Sequence, residues 1–316
     1  MSTLTVTSDH FAAAVPAERA RELFKSSVDQ IEIEVFSYCN RVCWFCPNSH
    51  IDRRSANRYM DEALYLRILD ELRSIAYGGV VTYSRYNEPL ADRIILTRLR
   101  QARERLPEAT LYTHTNGDYL TRELLDELRE AGLNVLRVQV YLGNDEHFDD
   151  AAMLTRMARR LGDLGLPFEF TDVLPNTRYM ARVSYPGIEV TFDARNFDRI
   201  GTDRGQTVKL ARPYRRTAPC FVVYRHLYID WNGAVVPCCN IRSDEPSHRP
   251  YIVDDLSGGR SIFDAYANSA LAAWRRELLR FGDKRKPCDT CFYEVPADSA
   301  ELRQTTEALA RRFGLA

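Results

Sequence analysis

The chain has no apolar run approaching the roughly 18 residues needed to cross a bilayer. Its N-terminus lacks a basic stretch followed by an apolar one, since Asp9 and His10 precede only a short apolar segment over 11–15, which argues against a secretory signal. A cytoplasmic protein without a membrane partner is expected. There is almost no net charge: 43 Lys and Arg against 44 Asp and Glu leave −1, so no broad electrostatic grip on nucleic acid or anionic lipid is written into the composition. Lysine is scarce, confined to Lys25, Lys209, Lys284 and Lys286; the basic residues are otherwise arginine, which reads as genome base composition. There is no Gly-rich phosphate cradle and no Ser/His/Asp arrangement, and the six histidines have no metal-ligand spacing. No internal repeat or low-complexity segment is visible.

What is present fits one large α/β unit with an appendage. The 316 residues are 45% hydrophobic and 28% charged, enough for a real core. Residues 1–28 read as an extension with a short helix over 17–25. From residue 29 to 205, strand signals (31–37, 80–86, 110–115, 135–141, 167–172, 188–195) alternate with helical ones (61–75, 91–105, 121–131, 149–164). Helix 61–75 carries Leu64, Ile68, Leu69, Leu72 and Ile75 at helical spacing. Such alternation implies βαβ units, a parallel sheet and a partial (β/α)6 barrel. Residues 206–316 have another rhythm. Strands over 221–229 and 234–236 flank the turn signal Asp230-Trp231-Asn232-Gly233, followed by helices over 262–280 and 297–313.

Eight cysteines in a reducing compartment point to metal ligands or redox groups before disulfides. None falls between 47 and 219. Cys39, Cys43 and Cys46 form C-x3-C-x2-C just after the first strand. Three close thiolates can hold three irons of a cubane and leave the fourth iron open, at the strand end where α/β barrels place their chemistry. A structural zinc would need a fourth ligand, for which His50 is available.

These three cysteines, with aromatic Phe45 before the last, resemble the signature of the radical SAM superfamily. The resemblance implies a 4Fe–4S cluster whose open iron is chelated by the amino and carboxylate groups of S-adenosylmethionine. On reduction it yields a 5′-deoxyadenosyl radical that abstracts hydrogen. Asn87-Glu88-Pro89 is similar to the family's Gly-Gly-Glu-Pro element at the cofactor amino group. Tyr86 and Asn87 stand where the family has glycines, so the carry-over is firm for Glu88 and Pro89. Thr115-Asn116-Gly117 resembles a further element near the cofactor and makes Asn116 a contact. Gln139, in the stretch replacing the family's fourth-strand serine, is a ribose contact by the same resemblance. A reductant such as flavodoxin or ferredoxin is implied.

Cys220, Cys238, Cys288 and Cys291 make a second set. A turn at Gly233 brings Cys220 and Cys238 near each other, and the C-x2-C loop closes the group. Four thiolates fill every iron position of a second cubane, or the four of a zinc. The spacing C-x12-G-x4-C followed by C-x2-C resembles the twitch domain, the shortened relative of the SPASM domain, and implies one auxiliary 4Fe–4S cluster. Cys239 is left over, either a small buried residue or a hydrogen-atom donor.

Strand alternation puts Glu189, Thr191, Asp193 and Arg195 on one face of 188–195, expected to line the barrel interior and to be costly there unless paired or wetted by substrate. Glu189, Asp193 and Arg195, with Cys239, are the catalytic candidates; a Glu189–Arg137 ion pair is the plainer alternative. Glu32 and Glu34 share a face, as do Arg137, Gln139 and Tyr141. Glu169, Asp172, Tyr83, Ser84 and Arg85 are further candidates. Arg212, Arg215 and Arg216 read as a solvated basic loop. Relatives with this auxiliary domain modify aminocyclitols, sugars, nucleosides and peptides in natural-product biosynthesis. Full ligation of the auxiliary cluster favours net dehydrogenation of a small polar substrate, with the cluster taking the second electron. The 30 residues before the first cluster are too short for a leader-binding domain, which disfavours a peptide. Epimerisation through Cys239, peptide modification, and a zinc-stabilised binding protein or electron carrier are the other readings.

Overall fold

A computed structural model of the chain describes residues 5–209 and 213–315. Arg212 of the basic run lies outside them. Its strands are β1 (Gln30–Ile33), β2 (Val80–Thr82), β3 (Thr110–Thr115), β4 (Val135–Gln139), β5 (Phe168–Leu174), β6 (Arg178–Val183), β7 (Glu189–Arg195), β8 (His226–Ile229), β9 (Ala234–Val236) and β10 (Asp254–Asp255). The helices are α1 (Ala17–Ser27), α2 (Glu62–Ser74), α3 (Ile94–Arg105), α4 (Arg122–Glu130), α5 (Asp150–Leu164), α6 (Phe197–Ile200), α7 (Val222–Arg225), α8 (Ile262–Tyr266), α9 (Ser269–Leu278) and α10 (Ala300–Arg312).

Local chemistry sets the helix starts. Asp61, Thr121 and Asp149 are N-caps whose side chains accept from the backbone N–H of Leu64, Leu124 and Ala152 at 2.9, 3.1 and 2.8 Å. Gly165, in the left-handed region at φ 60°, ends α5. The apolar stripes of α2 to α5 then cover one side of the sheet: Leu69, Leu72, Leu99, Leu125, Leu128 and Met157 are sealed against Val81, Leu111, Leu136 and Val190. Each such side chain contributes roughly 1.5–3 kcal/mol.

All ten strands belong to one sheet, in the order β10-β9-β8-β1-β2-β3-β4-β7-β6-β5. β8, β1, β2, β3, β4 and β7 are its parallel stretch. This is the α/β barrel architecture expected, with two differences of topology. The segment expected as a fifth parallel strand is β5, an antiparallel edge strand paired with β6. The left-handed Asn176 (φ 55°) turns the chain back directly after Leu174, and β6 leads into β7 antiparallel. The sixth parallel strand instead comes from the C-terminal part. There α7 replaces the first half of the expected strand 221–229, and β8 docks on β1.

Register decides what faces inward. Tyr228 lies opposite Glu32, Glu32 opposite Thr82, and Thr82 opposite Tyr112. His114 lies opposite Arg137, Arg137 opposite Thr191, and Gln139 opposite Asp193. These residues share the face turned away from α2 to α5.

Candidate active site

The first cysteine loop is tied to the ends of several strands. Cys39 donates its N–H to the Arg53 carbonyl at 3.2 Å, and Trp44 donates to the Asn144 carbonyl at 2.8 Å. Arg41 grips Asp118 with Nε and Nη2 at 2.6 and 2.7 Å and the Leu142 carbonyl at 2.8 Å. Burial first, and then neighbouring negative groups, push the Cys39 and Cys43 thiols up to about 12. Thiols this reluctant to ionise alone are suited to metal ligation, which stabilises the thiolate. Phe45 stacks on Phe197 of α6, with centroids 3.8 Å apart, and Tyr141 flanks it at 5.1 Å. His50 stands apart, bonded to Glu245 at 3.2 Å and not to the cysteines.

Glu88 joins the ends of β2 and β3. Its carboxylate accepts from Thr115 Oγ1 at 2.6 Å, the Asn116 N–H at 2.7 Å and the Leu90 N–H at 3.0 Å. Burial pushes it up to about 7 against those three donors. Asn116 is held in turn by Asn40 Oδ1 at 2.8 Å. Gly117, at φ 73°, permits the close turn here, because a Cβ would meet Val138 Cγ1 at 2.7 Å. Asn87 accepts from the Arg85 N–H at 3.1 Å, but its Nδ2 is buried with no partner. Pro89 opens the short 3-10 turn that follows. An orphan donor beside a buried carboxylate fits a ligand that carries both an amino and a carboxylate group.

The inner face is polar and wired. Asp193 binds Arg178 at 2.9 and 3.0 Å and receives Gln139 Nε2 at 3.5 Å, and Arg195 donates to Gln139 Oε1 at 2.6 Å. Arg178 and the nearby arginines hold Asp193 below the usual carboxylate range despite burial. Glu189 shares this face but is exposed at the start of β7. Among the described residues it forms no ion pair with Arg137, which sits opposite Thr191 instead. Glu169 and Asp172 lie on edge strand β5. The Tyr83 hydroxyl faces Tyr65 at 2.9 Å and Ser84 accepts from the His114 N–H at 3.0 Å. Arg85 reaches inward to Asp230 at 2.7 Å and Glu32 at 3.2 Å. Burial, outweighing Arg85, pushes Glu32 up to about 7.

Cys220, Cys238, Cys288 and Cys291 line one small, partly enclosed cavity. Three donors converge on Cys291 Sγ: the Tyr293 N–H at 3.4 Å, Asn240 Nδ2 at 3.6 Å and Arg216 Nη1 at 4.0 Å. Four thiols around one space, with N–H groups turned to sulfur, fit a closed iron–sulfur cluster. Cys239 is not in that lining. Its carbonyl accepts from the Tyr86 hydroxyl at 2.8 Å, at the end of β2.

Sequence reading missed three residues. His114, bonded to the Tyr112 hydroxyl at 2.8 Å, is held neutral by burial and by Arg195 and Arg137, which bring it down to about 3. Its position at the end of β3, after Tyr112 on the same face, was the available signal. Arg204 follows α6 with its Nε buried and unpartnered, and the sequence carried no signal for it. Arg216 is fully buried and donates to the carbonyls of Pro219 and Tyr293, both at 2.6 Å, whereas Arg215 is exposed and pairs with Asp283 at 2.6 Å. Of the two described arginines of the run, Arg216 is structural and Arg215 is not.

Comparison with known proteins agrees with this geometry. The family model of the Radical SAM superfamily matches residues 33–171, and that of the SPASM iron–sulfur cluster-binding domain matches 220–292. The S-adenosyl-L-methionine-dependent 2-deoxy-scyllo-inosamine dehydrogenase of Niallia circulans is 36% identical over 118 residues, 37% of this chain and 47% of the relative. A tungsten-containing aldehyde ferredoxin oxidoreductase cofactor-modifying protein of Pyrococcus furiosus is 32% identical over 110 residues, 33% of this chain and 28% of that one. The chain thus spans less than half the length of these curated relatives. The crystal structure of BtrN in complex with AdoMet and 2-DOIA superposes with a TM-score of 0.59 at 23% identity, covering 79% of this chain and 87% of BtrN. Among the described residues no helix is long and apolar enough to cross a membrane. With the two matched segments lying in order along one chain, the protein belongs to the radical SAM superfamily, in the group with a SPASM-type auxiliary domain, and its cofactors are S-adenosylmethionine and two 4Fe–4S clusters.

Proposed function

We propose that the chain is a radical SAM oxidoreductase that dehydrogenates a hydroxyl-bearing small polar molecule, working in the cytoplasm with a flavodoxin- or ferredoxin-type reductant. The observation that carries this is the cavity shared by Cys220, Cys238, Cys288 and Cys291. Four thiolates leave no iron open for substrate, so the second cluster is suited to accept an electron. The relative from Niallia circulans, a dehydrogenase by name, supports the same reading.

In this reading Cys39, Cys43 and Cys46 hold the first cluster, and Asn87, Glu88 and Asn116 receive the cofactor's amino acid end. Phe45 packs behind the third cysteine, and Gln139 reaches the ribose. When bound, the reduced cluster and its sulfonium cofactor supply a 5′-deoxyadenosyl radical able to remove a hydrogen atom from carbon. An alcohol becoming a ketone must also release a proton. Glu32 is the acceptor: it lies on the inner face, and at about 7 its carboxylate takes a proton near neutral pH. His114 stays neutral beside its arginines and serves as a hydrogen-bonding partner. Asp193 fixes Arg178 and Arg195 and keeps the wall rigid.

A second reading rests on Cys239. It lies outside the auxiliary cavity and beside Tyr86, where a thiol could return a hydrogen atom and give an epimer. Anaerobic reconstitution with iron and sulfide tests both. The oxidoreductase requires about eight irons and 5′-deoxyadenosine on reduction with dithionite. A colourless, zinc-loaded protein would refute it. Cys239→Ala separates the readings: an unchanged oxidised product keeps dehydrogenation, and loss of an epimer supports the donor role.

A further inference from the structure

The inner face of β3, β4 and β7 carries more positive charge than its own carboxylates neutralise. Asp193 is already shared, with Arg178 on both oxygens at 2.9 and 3.0 Å and Arg195 Nε at 3.6 Å. Arg195 uses Nη2 on the Gln139 amide oxygen at 2.6 Å, and its Nε is buried without a hydrogen-bond partner. Arg137 lies opposite His114 and Thr191, its guanidinium 5.9 Å from the Tyr112 ring centre. Its Nε is likewise buried and unpartnered, as is the Thr191 hydroxyl in the same row. Arg204 approaches from the linker with a left-handed backbone (φ 48°) and a third orphan Nε. Among the described residues neither Arg137 nor Arg204 has a carboxylate partner. Arg137 and Arg195 belong to one wall, since Arg137 lies opposite Thr191 of β7 and Arg195 bonds Gln139, two residues after Arg137 on the same face of β4, and the charge of Arg204 acts on the same His114 as theirs.

Buried guanidinium N–H groups left unpaired are costly, and a protein retains them where something else completes the bonds. Their planar forks match paired anionic oxygens. The cofactor's amino acid end would be held at Asn87, Glu88 and Asn116 instead. An ammonium group here would face like charge.

The geometry points to an anionic group on the substrate, a carboxylate or a phosphoryl ester, bound between Arg137, Arg195 and Arg204. This rests on the oxidoreductase reading and names the substrate class for the same site. Charge fixes one end of the molecule against β4 and β7, and its hydroxyl-bearing carbon is left to face the first cysteine loop.

Isothermal titration of the anaerobic, reconstituted, S-adenosylmethionine-loaded protein tests it, with glucose 6-phosphate, glucuronate, glucose and glucosamine as probes at equal ionic strength. At least one anionic probe should bind about tenfold more tightly than glucose, as charge-assisted bonds require. Which of the two does so tells phosphoryl from carboxylate, and glucosamine should be weakest. Arg137→Gln should erase the ratio between that probe and glucose, and Arg137→Lys should restore part of it. Arg204→Gln is the second variant should the first fail to fold. Four probes that bind alike, or not at all, or glucosamine binding best, overturn the inference if the same protein still makes 5′-deoxyadenosine. A protein that makes none fails the oxidoreductase reading instead.

Discussion

Replacing Arg216 with methionine should empty the auxiliary site of iron and spare the first cluster. The guanidinium is 1% exposed and staples two ligand-bearing segments. It donates to the carbonyls of Ala218 and Pro219 just before Cys220, at 3.2 and 2.6 Å. On the other side it reaches the carbonyls of Cys291, Tyr293 and Glu294, at 3.4, 2.6 and 3.2 Å. Methionine keeps much of the volume and removes every donor. Losing only the two shortest charge-assisted bonds costs roughly 3–6 kcal/mol. Against a domain stability of about 5–15 kcal/mol, that unpins the Cys288/Cys291 loop without unfolding the sheet. Iron content should fall from about eight to about four per chain, and dithionite should still drive 5′-deoxyadenosine formation. A purified Arg216→Met protein with full iron and an unchanged melting temperature would refute the staple.

Three other outcomes are expected. Cys43→Ala should abolish 5′-deoxyadenosine, whereas Cys291→Ala should keep part of it and lose substrate turnover; identical behaviour of both variants with the parent, by product chromatography, would remove the two-cluster assignment. Glu32→Gln should cut turnover at least about a hundredfold, the usual yield of a positioned base, and the parent's turnover should climb as pH rises through about 7 while the variant's stays flat. Burial also brings His10 down to about 3. The neutral form is thus favoured on folding, and stability present at pH 7 is withdrawn as pH falls from about 6.5 towards 3. His10→Gln should therefore make the unfolding free energy from urea titration less sensitive between pH 7 and 5, by about 1–2 kcal/mol.

The parts of the site legible in the sequence are those set by short spacing. Three cysteines within eight residues, C-x2-C after a helix and the Asn-Glu-Pro turn all depend on neighbours along the chain. β3 runs over Thr110–Thr115 as its pattern implied, and the caps at Thr121 and Asp149 mark α4 and α5. What stayed hidden depends on partners far away. β5 reads like a parallel strand, because its pairing with β6 is set by a turn whose strength no hydrophobic period reports. β8 reads as half of a hairpin, and its other edge is claimed by a strand almost two hundred residues earlier. Arg216 in an arginine run looks solvated until the carbonyls it serves are placed around it. Glu189 alternates correctly with Asp193, yet lies at the strand's open end, which alternation cannot tell from its middle.

β8 runs beside β1 from Gln30↔His226 to Ile33↔Ile229, β1 precedes Cys39, and β8 leads through its antiparallel partner β9 to Cys238. The two cysteine sets are therefore tied to each other through a ladder of backbone bonds. A one-residue slip of that ladder would throw both thiolate sets out of alignment together. Cutting the chain before residue 220 would strip β1 of β8, leaving only β2 beside it, and open a sticky flank.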